Sequence, residues 1–133
     1  EKFEILEHKA DFKIKIFGKD LKELFKNAMV GMFEGARYEK GRENIERKIK
    51  ISSQDLSSLL VDFLSEVLYF CETNQEVYDY IEFKKITENA LEGVLFGKKL
   101  KRMGVQIKGV TYHDLDIHRE KDSSWEATIL FDI

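Results

Sequence analysis

Two carboxylates far apart in the sequence, Asp11 and Asp132, together with the α-carboxylate of Ile133 that follows the second, are the groups whose chemistry is easiest to specify. The Asp132 side chain and the chain-end carboxylate, one residue apart, repel unless solvated or bridged, and an oxygen-only set favours a hard divalent ion such as Ca²⁺ or Mg²⁺. Spacing alone leaves the plainer assignment open, in which these are acidic residues at frayed ends with no ion between them. His8, His113 and His118 are dispersed, and their spacing defines no metal site; a surface or hydrogen-bonded imidazole is the commoner role for each. Cys71 has no second cysteine to pair with, and its neighbours Tyr69 and Phe70 favour a packed thiol over a reactive one. The sequence has no phosphate-binding glycine loop, nucleophile elbow, paired cysteines or two-histidine zinc helix, which argues against a stand-alone enzyme.

The elements that must position these groups follow from hydrophobic period. Phe12, Ile14 and Ile16 alternate with Lys13 and Lys15, the two-residue repeat of a half-buried strand that closes at Gly18. Asp20 is placed to cap a helix with Glu23 three residues on, and Leu21, Leu24, Phe25, Ala28, Met29, Met32 and Phe33 carry that helix to about Gly35. Ile45, Ile49 and Ile51 predict a second strand, with Arg47 interrupting its apolar row. Ser53 or Asp55 then opens a helix whose apolar stripe runs from Leu56 to Cys71 and spreads most of the way round, so this helix is expected to be largely buried. Beyond Val77, segments 77–88, 91–97, 105–119 and 125–133 read as strands, with Asn89 and Ala90 as a hairpin link.

The expected class is α+β: one domain over residues 1–133, a mixed β-sheet structure with two main helices in the order β-α-β-α-β-β-β-β. A chain of 133 residues, 43% hydrophobic, is long enough for one real core and short for two domains. The 22 basic and 25 acidic residues are interspersed and leave a net charge of −3, so the chain lacks the one-sided basic field of an independent nucleic-acid binder. The lysine-rich patches at Lys13/Lys15, Lys48/Lys50 and Lys98/Lys99/Lys101/Arg102 read as solvated faces. No apolar run is long enough to cross a bilayer and the opening residues are charged rather than leader-like, so a cytoplasmic protein is expected.

Three blocks of residues, in order, resemble the archease family. The first is Glu7-His8-Lys9-Ala10-Asp11 followed by Gly18, Leu21, Phe25, Ala28, Met32 and Phe33, with Lys9 standing where the family usually carries threonine. The second is the helix from Asp55 to Leu64. The third is Lys108-Gly109-Val110-Thr111-Tyr112-His113, then Trp125-Glu126-Ala127, then Phe131-Asp132-Ile133. The resemblance implies a non-catalytic accessory protein that activates the GTP-dependent RNA ligase of tRNA splicing, promoting its guanylylation and repeated turnover. It also implies a divalent ion, Ca²⁺ in first place with Mg²⁺ or Mn²⁺ as alternatives, held by Asp11, Asp132 and Ile133. Lys108 maps onto the family's motif lysine. His8, Thr111, Tyr112 and His113 become candidates for supporting the site or meeting the partner, with Lys108 and Tyr112 expected on one strand face and a buried structural tyrosine as the alternative for Tyr112. A second role linked with such proteins is chaperone or specificity modulator of a tRNA cytosine methyltransferase or another RNA-processing enzyme.

Overall fold

The computed structural model describes residues 2–7 and 11–133. The elements are β1 (Phe3–Glu7), β2 (Asp11–Gly18), α1 (Leu21–Gly35), β3 (Glu39–Ser52), α2 (Leu56–Asn74), β4 (Glu76–Ile86), β5 (Ala90–Arg102), β6 (Gly109–Arg119) and β7 (Trp125–Asp132). The fold is α+β, and the expected order is present with one strand, β1, added ahead of it. The sheet structure divides in two: one sheet of order β1-β2-β7-β6 and one of order β3-β5-β4. Every strand pair described is antiparallel.

The helices lie between the sheets. α1 packs on β1, β2 and β7 of the four-stranded sheet and on β4 of the other, while α2 packs on β6 from one sheet and on β3 and β4 from the other. β2 shows why: Phe12, Ile14, Ile16 and Gly18 are buried while Asp11, Lys13, Lys15 and Phe17 are half-buried on the opposite face, the alternation of a strand with one side on a core. α1 is the more enclosed helix, with Leu24, Phe25 and the run from Asn27 to Phe33 all buried. α2 is buried along Leu59, Leu60, Val61, Phe63, Leu64, Val67, Leu68 and Cys71, and its remaining face carries the exposed Asp62, Ser65, Tyr69 and Glu72.

Both helix starts are capped as their residue types demand. Asp20 Oδ1 accepts from Glu23 N at 2.9 Å, and Glu23 Oε1 accepts in return from Lys19 N at 3.0 Å. At α2 the cap is Asp55, whose Oδ1 accepts from Ser58 N at 2.8 Å and whose carboxyl is thereby held below the ordinary aspartate range. Each satisfies a donor that has no partner inside its helix.

Three expected segments differ. β5 runs on past Gly97 to Arg102, and β3 begins at Glu39 rather than near Ile45, after irregular pairing around Lys40. Residues 103–108 are not strand, which corrects the expected strand start at residue 105. Their backbone pairs elsewhere: Val105 N donates to Ala36 O at 2.8 Å and Ile107 N to the Tyr38 hydroxyl at 3.2 Å. Ile107 is fully buried, and burial pushes the Tyr38 phenol above its ordinary pKa. No helix among the described residues is long and apolar enough to cross a membrane.

Candidate metal centre at the paired strand ends

β2 and β7 run antiparallel in a register that puts Asp11 directly opposite Asp132. The next pair inward is Phe12 and Phe131, whose rings stack with centroids 4.9 Å apart. Both phenylalanines are in the core, at 6% and 0% exposure. Because successive side chains alternate in a strand, burying this pair turns Asp11 and Asp132 together to the outer face, with Cβ atoms about 5 Å apart. Two residues 121 positions apart in sequence thus become neighbours through register.

β6 completes the row. Gly109 is the register partner of Asp132 on its other side, and Lys108 N donates to Asp132 O at 2.7 Å. That bond engages the main-chain carbonyl of Asp132 and fixes Lys108 beside the carboxylate pair. Lys108 is exposed and precedes β6, so it does not share a strand face with Tyr112 as expected. Ile133 follows Asp132 and is half-buried against the core.

Asp11 shows the strongest sign of a missing partner. Its Oδ1 is shut off from solvent and has no hydrogen-bond partner among the described residues. A buried, unpartnered carboxylate oxygen is costly, and a cation would satisfy it. The donors at hand are oxygens only, which fits Ca²⁺, Mg²⁺ or Mn²⁺ better than a thiophilic metal. Asp11, Asp132 and Ile133 would hold such an ion, with water completing its shell.

Beyond this row β6 leaves regular pairing. Thr111 opposes Leu130 and Asp116 opposes Thr128, so residues 112–115 bulge out opposite Ile129 alone. The bulge is ordered by its own polar groups: Thr111 Oγ1 accepts from His113 N at 3.0 Å, and Asp114 sits at φ 57°. Lys13 Nζ donates to Asp114 Oδ2 at 3.4 Å, and His113 Nε2 lies 3.6 Å from the same oxygen. Tyr112 is 56% exposed, so the buried-tyrosine alternative does not hold. Tyr112 and His113 are both exposed in this bulge, which the Lys13–Asp114 contact ties to β2 two residues from Asp11. Lys13 and Asp114 were not foreseen as part of this region, because the bulge that brings them together has no signature in local alternation. His8 lies outside the described residues.

Residues 3–133 match the model of the Archease protein family. The chain belongs to the archease family. This archease is 35% identical to the protein archease of Methanosarcina acetivorans, over 100% of its own length and 97% of that protein's. Among solved structures it is similar to Methanobacterium thermoautotrophicum protein 1598, with a TM-score of 0.71 and 29% identity, covering 98% of each chain. The crystal structure of a Thermotoga maritima protein described as an archease and possible chaperone shares the fold at 22% identity and a TM-score of 0.71, covering 96% of this chain and 94% of that one.

Proposed function

We propose that this archease is a non-catalytic accessory protein that activates the GTP-dependent RNA ligase of tRNA splicing, supporting ligase guanylylation and repeated turnover. In this reading Asp11, Asp132 and the terminal oxygens of Ile133 hold a divalent ion, Ca²⁺ first, with Mg²⁺ or Mn²⁺ as alternatives. The observation that carries the site is the buried Oδ1 of Asp11, without a hydrogen-bond partner among the described residues, directly opposite Asp132. The ion would turn a mutually repelling carboxylate pair into a fixed structural feature at the sheet end.

The surroundings supply the partner contacts. Lys108 is an exposed cation tethered at the pair, suited to a carboxylate or phosphate on the ligase, and the bulge presents Tyr112 and His113. A mildly acidic chain with interspersed charge is suited to meeting a protein rather than gripping RNA by itself. The reading assigns no bond-making step to this chain; guanylylation and ligation belong to the ligase.

The test is ligation by the cognate ligase under multiple-turnover conditions. Asp132→Ala, or a chain lacking Ile133, is expected to lose most of the stimulation, and unchanged stimulation would remove the site assignment. Single-turnover guanylylation that is indifferent to the wild-type protein would remove the activator role. The description of the Thermotoga maritima relative as a possible chaperone favours one alternative, a chaperone or specificity modulator of a tRNA cytosine methyltransferase. It predicts that the methyltransferase, not the ligase, changes its activity when this protein is added.

A further inference from the structure

At the opposite end of β6 and β7, the same outer face gathers a second group of ligating side chains. Asp116 and His118 on β6, and Glu120 just past its end, recur at every second position, which puts the first two on one face of the strand and carries Glu120 alongside. Glu126 on β7 is the register partner of His118, so its side chain rises beside the imidazole. His118 Nδ1 lies 2.6 Å from Asp116 Oδ2, while Nε2 lies 2.8 Å from Glu120 Oε1 and 3.4 Å from Glu126 Oε2. The hairpin turn holds Glu120 in place, since Glu120 N donates to Ser124 O at 2.8 Å and Ser123 N donates to Glu120 O at 3.0 Å.

Protons alone do not account for this arrangement. Nε2 carries one hydrogen at most and cannot fully serve two carboxylates. The Glu126 side chain is only 23% exposed, yet its one ion-pair contact among the described residues is the 3.4 Å approach to His118 Nε2, which Glu120 already engages more closely at 2.8 Å. Three carboxylates surround one imidazole, and among the described residues no lysine or arginine pairs with any of them. The group is short of positive charge, and the deficit centres on Nε2.

We propose that His118 Nε2, Glu120 and Glu126 form a second metal site, selective for a divalent first-row transition ion of which Zn²⁺ is the representative. One ligand atom from each of the three residues lies within 4.8 Å of the others. The Nε2-to-oxygen separations of 2.8 and 3.4 Å are close to the roughly 3 Å edges of a coordination shell with metal–ligand bonds of about 2.0–2.1 Å. An imidazole with two carboxylates suits zinc and its neighbours better than Ca²⁺, which separates this site in chemistry from the oxygen-only pair. The contact of Nδ1 with Asp116 is the orienting bond that metal-bound histidines usually make through their other nitrogen, and it leaves Nε2 free to ligate. The two sites are also distant, because Glu126 and Asp132 lie six residues apart on one extended strand, about 20 Å.

The experiment is a calorimetric titration of the chelator-stripped full chain with Zn²⁺ alone. One equivalent is expected to bind at His118. His118→Ala and Glu126→Gln should each weaken that binding by tenfold or more, and Asp116→Asn by about tenfold. The Asp11→Asn/Asp132→Asn double variant should leave it unchanged, so failure here and failure of the carboxylate-pair site are distinguishable. A second readout needs no variant: in the long-range ¹H–¹⁵N spectrum of wild type, one equivalent of Zn²⁺ should move the His118 ring resonances and leave those of His113 in place. Zinc affinity unaltered by both His118→Ala and Glu126→Gln, or His118 resonances unmoved at one equivalent, would overturn the site.

Discussion

Arg47 and Glu76 form a two-pronged ion pair between β3 and β4, with Nε donating to Oε1 and Nη2 to Oε2, each at 2.8 Å. The Glu76 side chain is 3% exposed, and the Tyr78 hydroxyl also donates to its Oε1 at 2.7 Å. The guanidinium lies 5.8 Å from the centre of the Phe70 ring on α2, so the pair also ties a sheet to a helix. Arg47→Met is expected to destabilise the chain by about 2–3 kcal/mol, below the usual cost of stranding a buried charge because Arg47 is itself a third exposed. Arg47→Met combined with Glu76→Gln should recover part of the loss. Urea midpoints of the three variants check both statements.

The same pair sets an acid dependence. Arg47 first, and Tyr78 after it, hold the Glu76 carboxyl below its ordinary pKa against the effect of burial. A carboxyl lowered on folding contributes stability above its unfolded pKa, and that contribution is lost as pH falls through the folded value. Stability measured from neutral pH downward should therefore fall less steeply in Arg47→Met than in wild type. Parallel acid limbs would show that the pair carries no proton linkage.

Glycines on the sheets separate tolerated from forbidden positions. A Cβ on Gly97 would sit 1.9 Å from the Val77 carbonyl oxygen of β4, and one on Gly93 would sit 2.4 Å from Glu82 O. These are backbone atoms of the paired strand β4 and cannot rotate away. Gly97→Ala should cost about 3 kcal/mol or more and broaden the amide resonances of β4 and β5. At Gly109 an added Cβ meets nothing within 4 Å. Gly109→Ala, beside Asp132, should leave thermal stability unchanged or raise it slightly by restricting the unfolded chain.

These glycines also show where sequence reading ends. β2, α1 and β7 were legible because each has one clean apolar face at a single period, and Asp20 with Glu23 marked a helix start by type and spacing. β5 was truncated at Gly97 because glycine there marks close approach by another strand rather than a turn. Arg47 looked like a flaw in an apolar row, and its partner Glu76 is distant in sequence. Residues 105–108 were read as strand because their types suit one, yet the hydrogen bonds of Val105 and Ile107 go to Ala36 and Tyr38. The proximity of Asp11 to Asp132 is a matter of register between distant strands. Local pattern does not encode that, and only the family resemblance suggested it.

Cys71 is fully buried on α2, and burial first, with Glu72 and Glu76 adding to it, pushes its thiol pKa up to about 12. Since the thiolate is the reactive form, native Cys71 should resist a disulfide reagent at pH 8. It should react at once when the chain is unfolded in guanidinium. A native labelling rate equal to the unfolded one would contradict the packed-thiol assignment.

The paired carboxylates predict opposite signs of one substitution with and without ion. In chelator, Asp11 faces Asp132 across the strand pair with a buried oxygen that has no partner among the described residues, so Asp11→Asn removes a like-charge contact. The variant should then be as stable as wild type or more so. With Ca²⁺ added, wild type alone should gain stability, by about 2.7 kcal/mol once free ion reaches a hundred times its dissociation constant, and the order of melting temperatures should reverse. Magnesium and manganese titrations rank the alternatives by the same readout. If Asp11→Asn gained as much from Ca²⁺ as wild type, the ion would be binding elsewhere, and the orphaned oxygen would need a protein partner instead.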